Sequence, residues 1–169
     1  MNALIVGEKV IVSEQKTVSQ LNQKGFGEII EGKLVLDLNE TFYLLQKKNL
    51  KVLDRDEDNI SEEEFLKKFS KKKLFYEKFL VYKDLRDRGF IVKTGYKFGF
   101  DFRVYPRGKK PGEAHSQWVL SVSKQNSNFA FPEIARMVRM SHTLKTSLLL
   151  SVVDNDCKTS FYEVKRITP

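Results

Sequence analysis

Gly89 divides the chain into two patterns, and no other feature constrains the fold as strongly. Before it, Leu74, Phe75, Phe79, Leu80 and Tyr82 recur at approximately helical spacing. This predicts a helix over residues 72–88 that ends at a glycine, the residue best suited to the left-handed position after a helix. After Gly89, short β-branched and aromatic runs predict five strands: Phe90–Thr94, Phe100–Tyr105, Trp118–Ser123, Leu148–Val153 and Ser160–Val164. A single helix interrupts them, Phe131 to about Thr146, with Pro132 near N1 and Glu133 in its first turn. Ile134, Val138 and Ser141 mark one face of it, with Arg136, Arg139 and Lys145 on others. The expected class is α/β (α+β), a mixed β-sheet packed on a helix.

The segment before residue 70 is built from smaller pieces. Residues 3–12 predict strand, turn and strand around Gly7, and Glu28–Leu38 a hairpin interrupted by Gly32. Residues 14–25 are polar and carry no assigned element. Asn39 is a plausible N-cap for a helix over 40–48, because its side-chain oxygen can accept an unpaired helical N–H. Residues 50–53 suggest another short strand. Ser61 with Glu64 forms a capping box for a helix over 61–69. The resulting division is a small mixed N-terminal domain (1–70), a connecting helix (71–88) and a C-terminal domain (89–169).

Charge points to the C-terminal half. The net charge is +8. Residues 89–169 hold 13 Lys and Arg against 6 Asp and Glu, whereas residues 1–88 hold 17 against 16. A polyanion is therefore the expected partner, and the second half its expected binding region. The Lys71–Lys73 run reads as a solvated helix surface. The single cysteine, Cys157, excludes an intrachain disulfide and a cysteine-based zinc cage, and fits a reducing, cytoplasmic setting. The N-terminus lacks the basic start of a signal peptide, and no apolar run is long enough to span a membrane.

Chemistry concentrates between Tyr96 and His115, where aromatics interleave with Arg103, Arg107, Lys109 and Lys110. Such a surface can stack on bases and neutralise phosphates. Taken alone, Tyr105 reads as a core or edge aromatic, His115 as an exposed loop residue and Lys145 as a cation at a helix end. His142 reads as structural. Together, Tyr105, His115 and Lys145 suit metal-free RNA cleavage. A histidine can protonate the leaving 5′-oxygen at neutral pH, and a lysine can stabilise the charged phosphorus centre. Tyrosine is the demanding member, because at an ordinary pKa of about 10 only about 0.1% is ionised at pH 7. With two histidines and no HxxxH pair, no His-rich metal site is expected. Asp154 and Asp156 are a possible Mg²⁺ pair or, equally, a solvated turn. No cofactor motif is present.

The segments VYKDLRDRGFIVKTGYKFGFDFRVYPRG and HS (within Val81–Ser116), ARMVRMSHTLKTSLLLSVVD (Ala135–Asp154) and FYEV resemble archaeal tRNA-splicing endonuclease in its short-subunit form. That resemblance implies an N-terminal α/β domain, a C-terminal nuclease domain and a homotetramer, a dimer of dimers. It implies cleavage of precursor tRNA at bulge–helix–bulge intron boundaries, leaving a 2′,3′-cyclic phosphate and a 5′-OH. The family tyrosine falls on Tyr105, as general base, and its histidine on His115, as general acid. Its lysine is the second residue of a basic run, in a segment that here reads His142-Thr143-Leu144-Lys145-Thr146. An ungapped match places Thr146 at the lysine and Lys145 one residue earlier, about 100° away on a helix. Lys145 is taken as the electrostatic stabiliser. The resemblance also implies an assembly loop at Asp154 and Asp156, and base-clamping arginines. Arg139 matches one of these; Arg166 or Lys165 is the second.

Two rivals stay open. The chain could be a non-catalytic structural subunit of a heterotetramer, as the missing lysine suggests, or a passive basic RNA-binding module.

Overall fold

The computed structural model describes all 169 residues and forms two compact units, Met1–Phe79 and Leu80–Pro169. The division falls inside one continuous helix. No helix is long and apolar enough to cross a membrane.

The first unit contains strands β1 (Asn2–Val6), β2 (Lys9–Val12), β3 (Glu28–Ile30), β4 (Lys33–Leu36), β5 (Lys51–Leu53) and β6 (Asn59–Ile60). They form one sheet in the order β3-β4-β2-β1-β5-β6, in which only β1 and β5 run parallel. Both expected hairpins form. At the β3–β4 turn Glu31 and Gly32 have φ of 50° and 75°, the backbone that matches the twist of a tight hairpin.

Helix α1 (Gln15–Gln23) occupies the segment to which the sequence assigned no element. Helix α2 (Leu38–Gln46) is capped by Asp37, whose carboxylate accepts from the backbone N–H groups of Asn39 and Glu40. The expected cap, Asn39, instead lies buried in the first turn. Helix α3 (Glu62–Phe69) begins at the expected Ser61–Glu64 capping box. Helix α4 (Phe75–Asp87) delivers Phe75 and Phe79 to the first core. There the Phe42 ring lies 4.4 Å from Phe79 and 5.5 Å from Phe65. Such aromatic contacts add to the hydrophobic gain of burial.

Helix α4 ends as its glycine implies. Gly89 has φ 89°; its N–H donates to Arg86, and the Phe90 N–H reaches back to Leu85. These two bonds satisfy carbonyls that the helix end would otherwise leave unpaired.

The second unit contains β7 (Ile91–Thr94), β8 (Phe102–Tyr105), β9 (Trp118–Lys124), β10 (Ser147–Val153) and β11 (Thr159–Val164), in the order β11-β10-β9-β8-β7. β9 and β10 are parallel, joined through helix α5 (Phe131–Thr143); the other pairs are antiparallel. Helix α5 buries Met137, Val138 and Ser141, and the core beneath it includes Val119 and Leu148. It stops at Thr143, three residues earlier than the sequence suggested. Lys145 then adopts φ 54°. Its N–H donates to the His142 carbonyl at 2.9 Å, and the Thr146 N–H donates to Ser141 at 3.0 Å. This is the bond pair that closes a helix with a left-handed residue, here a lysine rather than a glycine.

Candidate active site

A cleft of about 360 Å³ in the second unit is lined by Phe98, Arg103, Tyr105, His115, Val119 and Leu144, among others. Five segments meet at it: the 3₁₀ turn before β8, β8 itself, the loop after it, β9 and the end of α5.

Tyr105 is the last residue of β8, paired across the ladder with Ile91. It is only 4% exposed. Pro106 stops the strand because it has no N–H to donate. The chain then turns at Arg107-Gly108, where Gly108 takes φ 69°. The loop carrying His115 is held at several points. The Lys109 N–H donates to Pro106, and the Lys110 N–H donates to the Glu113 carboxylate at 3.0 Å. Ala114 bonds back to Lys110, and the Gln117 N–H donates to the Val104 carbonyl at 2.8 Å. His115 is thus presented, exposed, on a bounded loop that faces the cleft.

Alternation along β8 puts residues 103 and 105 on one face of the strand. The Arg103 guanidinium stands 5.9 Å from the Tyr105 ring centroid and 5.5 Å from that of Phe98. Its Nε donates to the Thr94 carbonyl at 3.1 Å. Phe98 is placed by a short 3₁₀ turn, Tyr96–Phe98, between β7 and β8. That connection is tight: a Cβ on Gly95 would lie 3.0 Å from the Phe102 backbone.

The structure therefore brings Tyr105 and His115 to one cleft. Lys145 is exposed and is not among the residues lining it, although its neighbour Leu144 is. Because Lys145 and Thr146 both follow the end of α5, the helical rotation that separated them in the sequence reading does not apply. The Thr146 Oγ1 is enclosed and has no hydrogen-bond partner.

The remaining candidates lie on other parts of the unit. Arg139 is exposed on α5, and Arg166 is exposed just beyond β11. Lys165 is paired at 3.0 Å with Glu163. The hydrogen bond from Lys165 is the main cause holding the Glu163 carboxyl below its usual range. Asp154 is half-buried, and its Oδ1 accepts from the N–H groups of Asp156 and Lys158, both at 2.9 Å. Asp156 is exposed on the same turn. No three His, Cys, Asp or Glu side chains are grouped to hold a metal ion.

Two family models match the chain. The tRNA intron endonuclease N-terminal domain covers residues 1–66, and the tRNA intron endonuclease catalytic C-terminal domain covers residues 75–161. Among similar proteins is a tRNA-splicing endonuclease of Thermococcus onnurineus, 40% identical over 94% of this chain and 92% of its own. A second, from Thermococcus kodakarensis, is 38% identical over 94% of each chain. A third, from Methanothermobacter thermautotrophicus, is 36% identical over 97% of this chain and 96% of its own.

Proposed function

We infer the activity of this chain from the family to which it belongs, the tRNA intron endonucleases: it cuts precursor tRNA at intron boundaries. The observation that carries the reading to particular residues is the shared cleft of Tyr105 and His115.

The chemistry follows from what those two groups can do. The Tyr105 phenolate takes the proton of a ribose 2′-OH. The freed 2′-oxygen attacks the adjacent phosphorus, forming the 2′-O–P bond. The P–O5′ bond breaks, and His115, as imidazolium, gives its proton to the departing oxygen. The products are a 2′,3′-cyclic phosphate and a 5′-OH. No step calls on a metal ion. Lys145, one residue past the cleft-lining Leu144, contributes positive potential to the phosphorus centre.

The substrate form is a bulge–helix–bulge. Arg139 and Arg166 are the residues proposed to hold an unpaired base by stacking their guanidinium planes on it. Lys165 is the weaker second candidate, being engaged by Glu163. Assembly is a homotetramer, with the Asp154–Asp156 turn as an acidic contact between dimers.

The test is incubation of the purified chain with a bulge–helix–bulge RNA in EDTA. Cyclic phosphate ends are expected, and His115→Ala should lose about 10²–10⁴ in single-turnover rate. Cleavage abolished by the chelator, or 3′-OH products, would refute this mechanism. The enclosed Thr146 hydroxyl at the family lysine position favours one second reading, a structural subunit. In that case the chain alone is inert, and cutting restored by a partner subunit is insensitive to His115→Ala.

A further inference from the structure

We propose that Arg103 supplies the positive charge that directly contacts the scissile phosphate during cleavage. The proposal rests on the reading that the Tyr105–His115 cleft is where RNA is cut.

The cleft is short of positive charge. A phosphorane forming in this cleft gains negative charge on its non-bridging oxygens, and a fixed cation facing them stabilises it. Thr146 carries no charge and its Oγ1 is enclosed. Lys145 does not line the cleft. Among the residues that do, Arg103 is the only one with a permanent charge.

Arg103 is also built for the task. Its Nε is committed to Thr94, and its guanidinium lies near both the Phe98 and Tyr105 rings. These contacts restrict the side chain before substrate arrives, so little freedom is lost on binding. It makes no ion pair with a carboxylate. The terminal nitrogens are thus open to two phosphate oxygens, the geometry in which a guanidinium fork binds best. Residues 103 and 105 share one face of β8, so the cation and the proposed base reach the same side of the sheet. Arg103 neither gives nor takes a proton. The 2′-O–P bond forms, the P–O5′ bond breaks, and both proton transfers remain with Tyr105 and His115.

The experiment compares wild type, Arg103→Met, Arg103→Lys, Lys145→Ala and His115→Ala as full-length proteins. Each is assayed on a bulge–helix–bulge RNA in single turnover, with RNA affinity and thermal unfolding measured alongside. Each is also assayed on RNA carrying a single-isomer phosphorothioate at the scissile linkage. Arg103→Met keeps an unbranched side chain beside the rings and removes the charge. It should lose about 10²-fold or more in rate while affinity changes by less than about threefold. Arg103→Lys should recover part of the rate. The phosphorothioate penalty of wild type should shrink in Arg103→Met, because the contact that sensed the oxygen is gone. A merely structural arginine would not change that penalty.

An Arg103→Met rate within about threefold of wild type overturns the proposal, as does a rate loss with an unchanged phosphorothioate penalty. If Arg103→Met does not fold, Arg103→Lys decides: an altered penalty supports the contact and an unaltered one overturns it. Loss confined to Lys145→Ala assigns the charge to Lys145 instead. The underlying reading fails separately. If His115→Ala cuts as fast as wild type, or wild type does not cut, the cleft itself is misassigned and the proposal falls with it.

Discussion

Thr146 shows how much a single enclosed atom can decide. Its hydroxyl has lost water and gained no hydrogen-bond partner. Removing such a group while keeping its shape costs little and relieves a desolvation penalty. Thr146→Val should therefore leave stability unchanged or raise it by about 1 kcal/mol, as read from urea unfolding. Its cleavage rate should match wild type. A large rate loss would mean that the hydroxyl is in contact with substrate. The residues of the cleft were unequally legible. Tyr105 and His115 were legible because they fall in the FRVYPRG and HS segments that resemble the family, whereas each taken alone reads as an ordinary core or loop residue. Arg103 was one cation among several in its stretch. What distinguishes it is two-residue spacing from Tyr105 along a strand, together with two rings that approach only after folding.

The end of α5 turns on a lysine in a conformation that glycine adopts more readily. A non-glycine residue pays roughly 1–2 kcal/mol in the left-handed region. Glycine loses more chain entropy on folding, which offsets part of that gain. Lys145→Gly should then stabilise the protein by a net of about 0.5 kcal/mol, visible as a higher denaturant midpoint. The same variant removes the charge, so it separates the residue's backbone role from its electrostatic one. Legibility at this scale followed local chemistry. The Ser61 box and Gly89 announce their helix ends through bonds that the residues themselves make. Helix α1 was silent because Glu14 makes no side-chain cap bond, and only Thr17, Val18 and Leu21 of its residues are buried. It forms because tertiary burial of that narrow face outweighs weak local signals. At α2, Asp37 and Asn39 are both good capping types, and Asp37 has the matching glutamate three residues on. The Asp54–Asp58 turn repeats the bonding of Asp154–Lys158: in each, the first carboxylate accepts two backbone N–H groups at 2.9 Å. An acidic residue there has a local structural reason before any assembly role is considered.

That distinction bears on the proposed homotetramer. Asparagine at 154 keeps a side-chain oxygen to accept the two turn bonds, so Asp154→Asn with Asp156→Asn removes charge while preserving the turn. If the turn docks on a basic surface of another dimer, the double variant should shift tetramers towards dimers in light scattering, and added salt should do the same to wild type. An unchanged tetramer would place the turn outside the interface. The boundary between the two compact units falls within α4 rather than within an extended linker, and this has a consequence for digestion. A protease must draw several residues of backbone into its own cleft, which helical chain resists until it opens. Lys78 and Lys83 lie within α4, whereas Lys109 is exposed in the loop between Tyr105 and His115. Brief trypsin treatment should therefore nick the loop near Lys109 before it cuts inside α4 at Lys78 or Lys83, and mass spectrometry of the first fragments would show the order. A limited digest would then deliver, among its first products, a chain cut between its proposed base and its proposed acid.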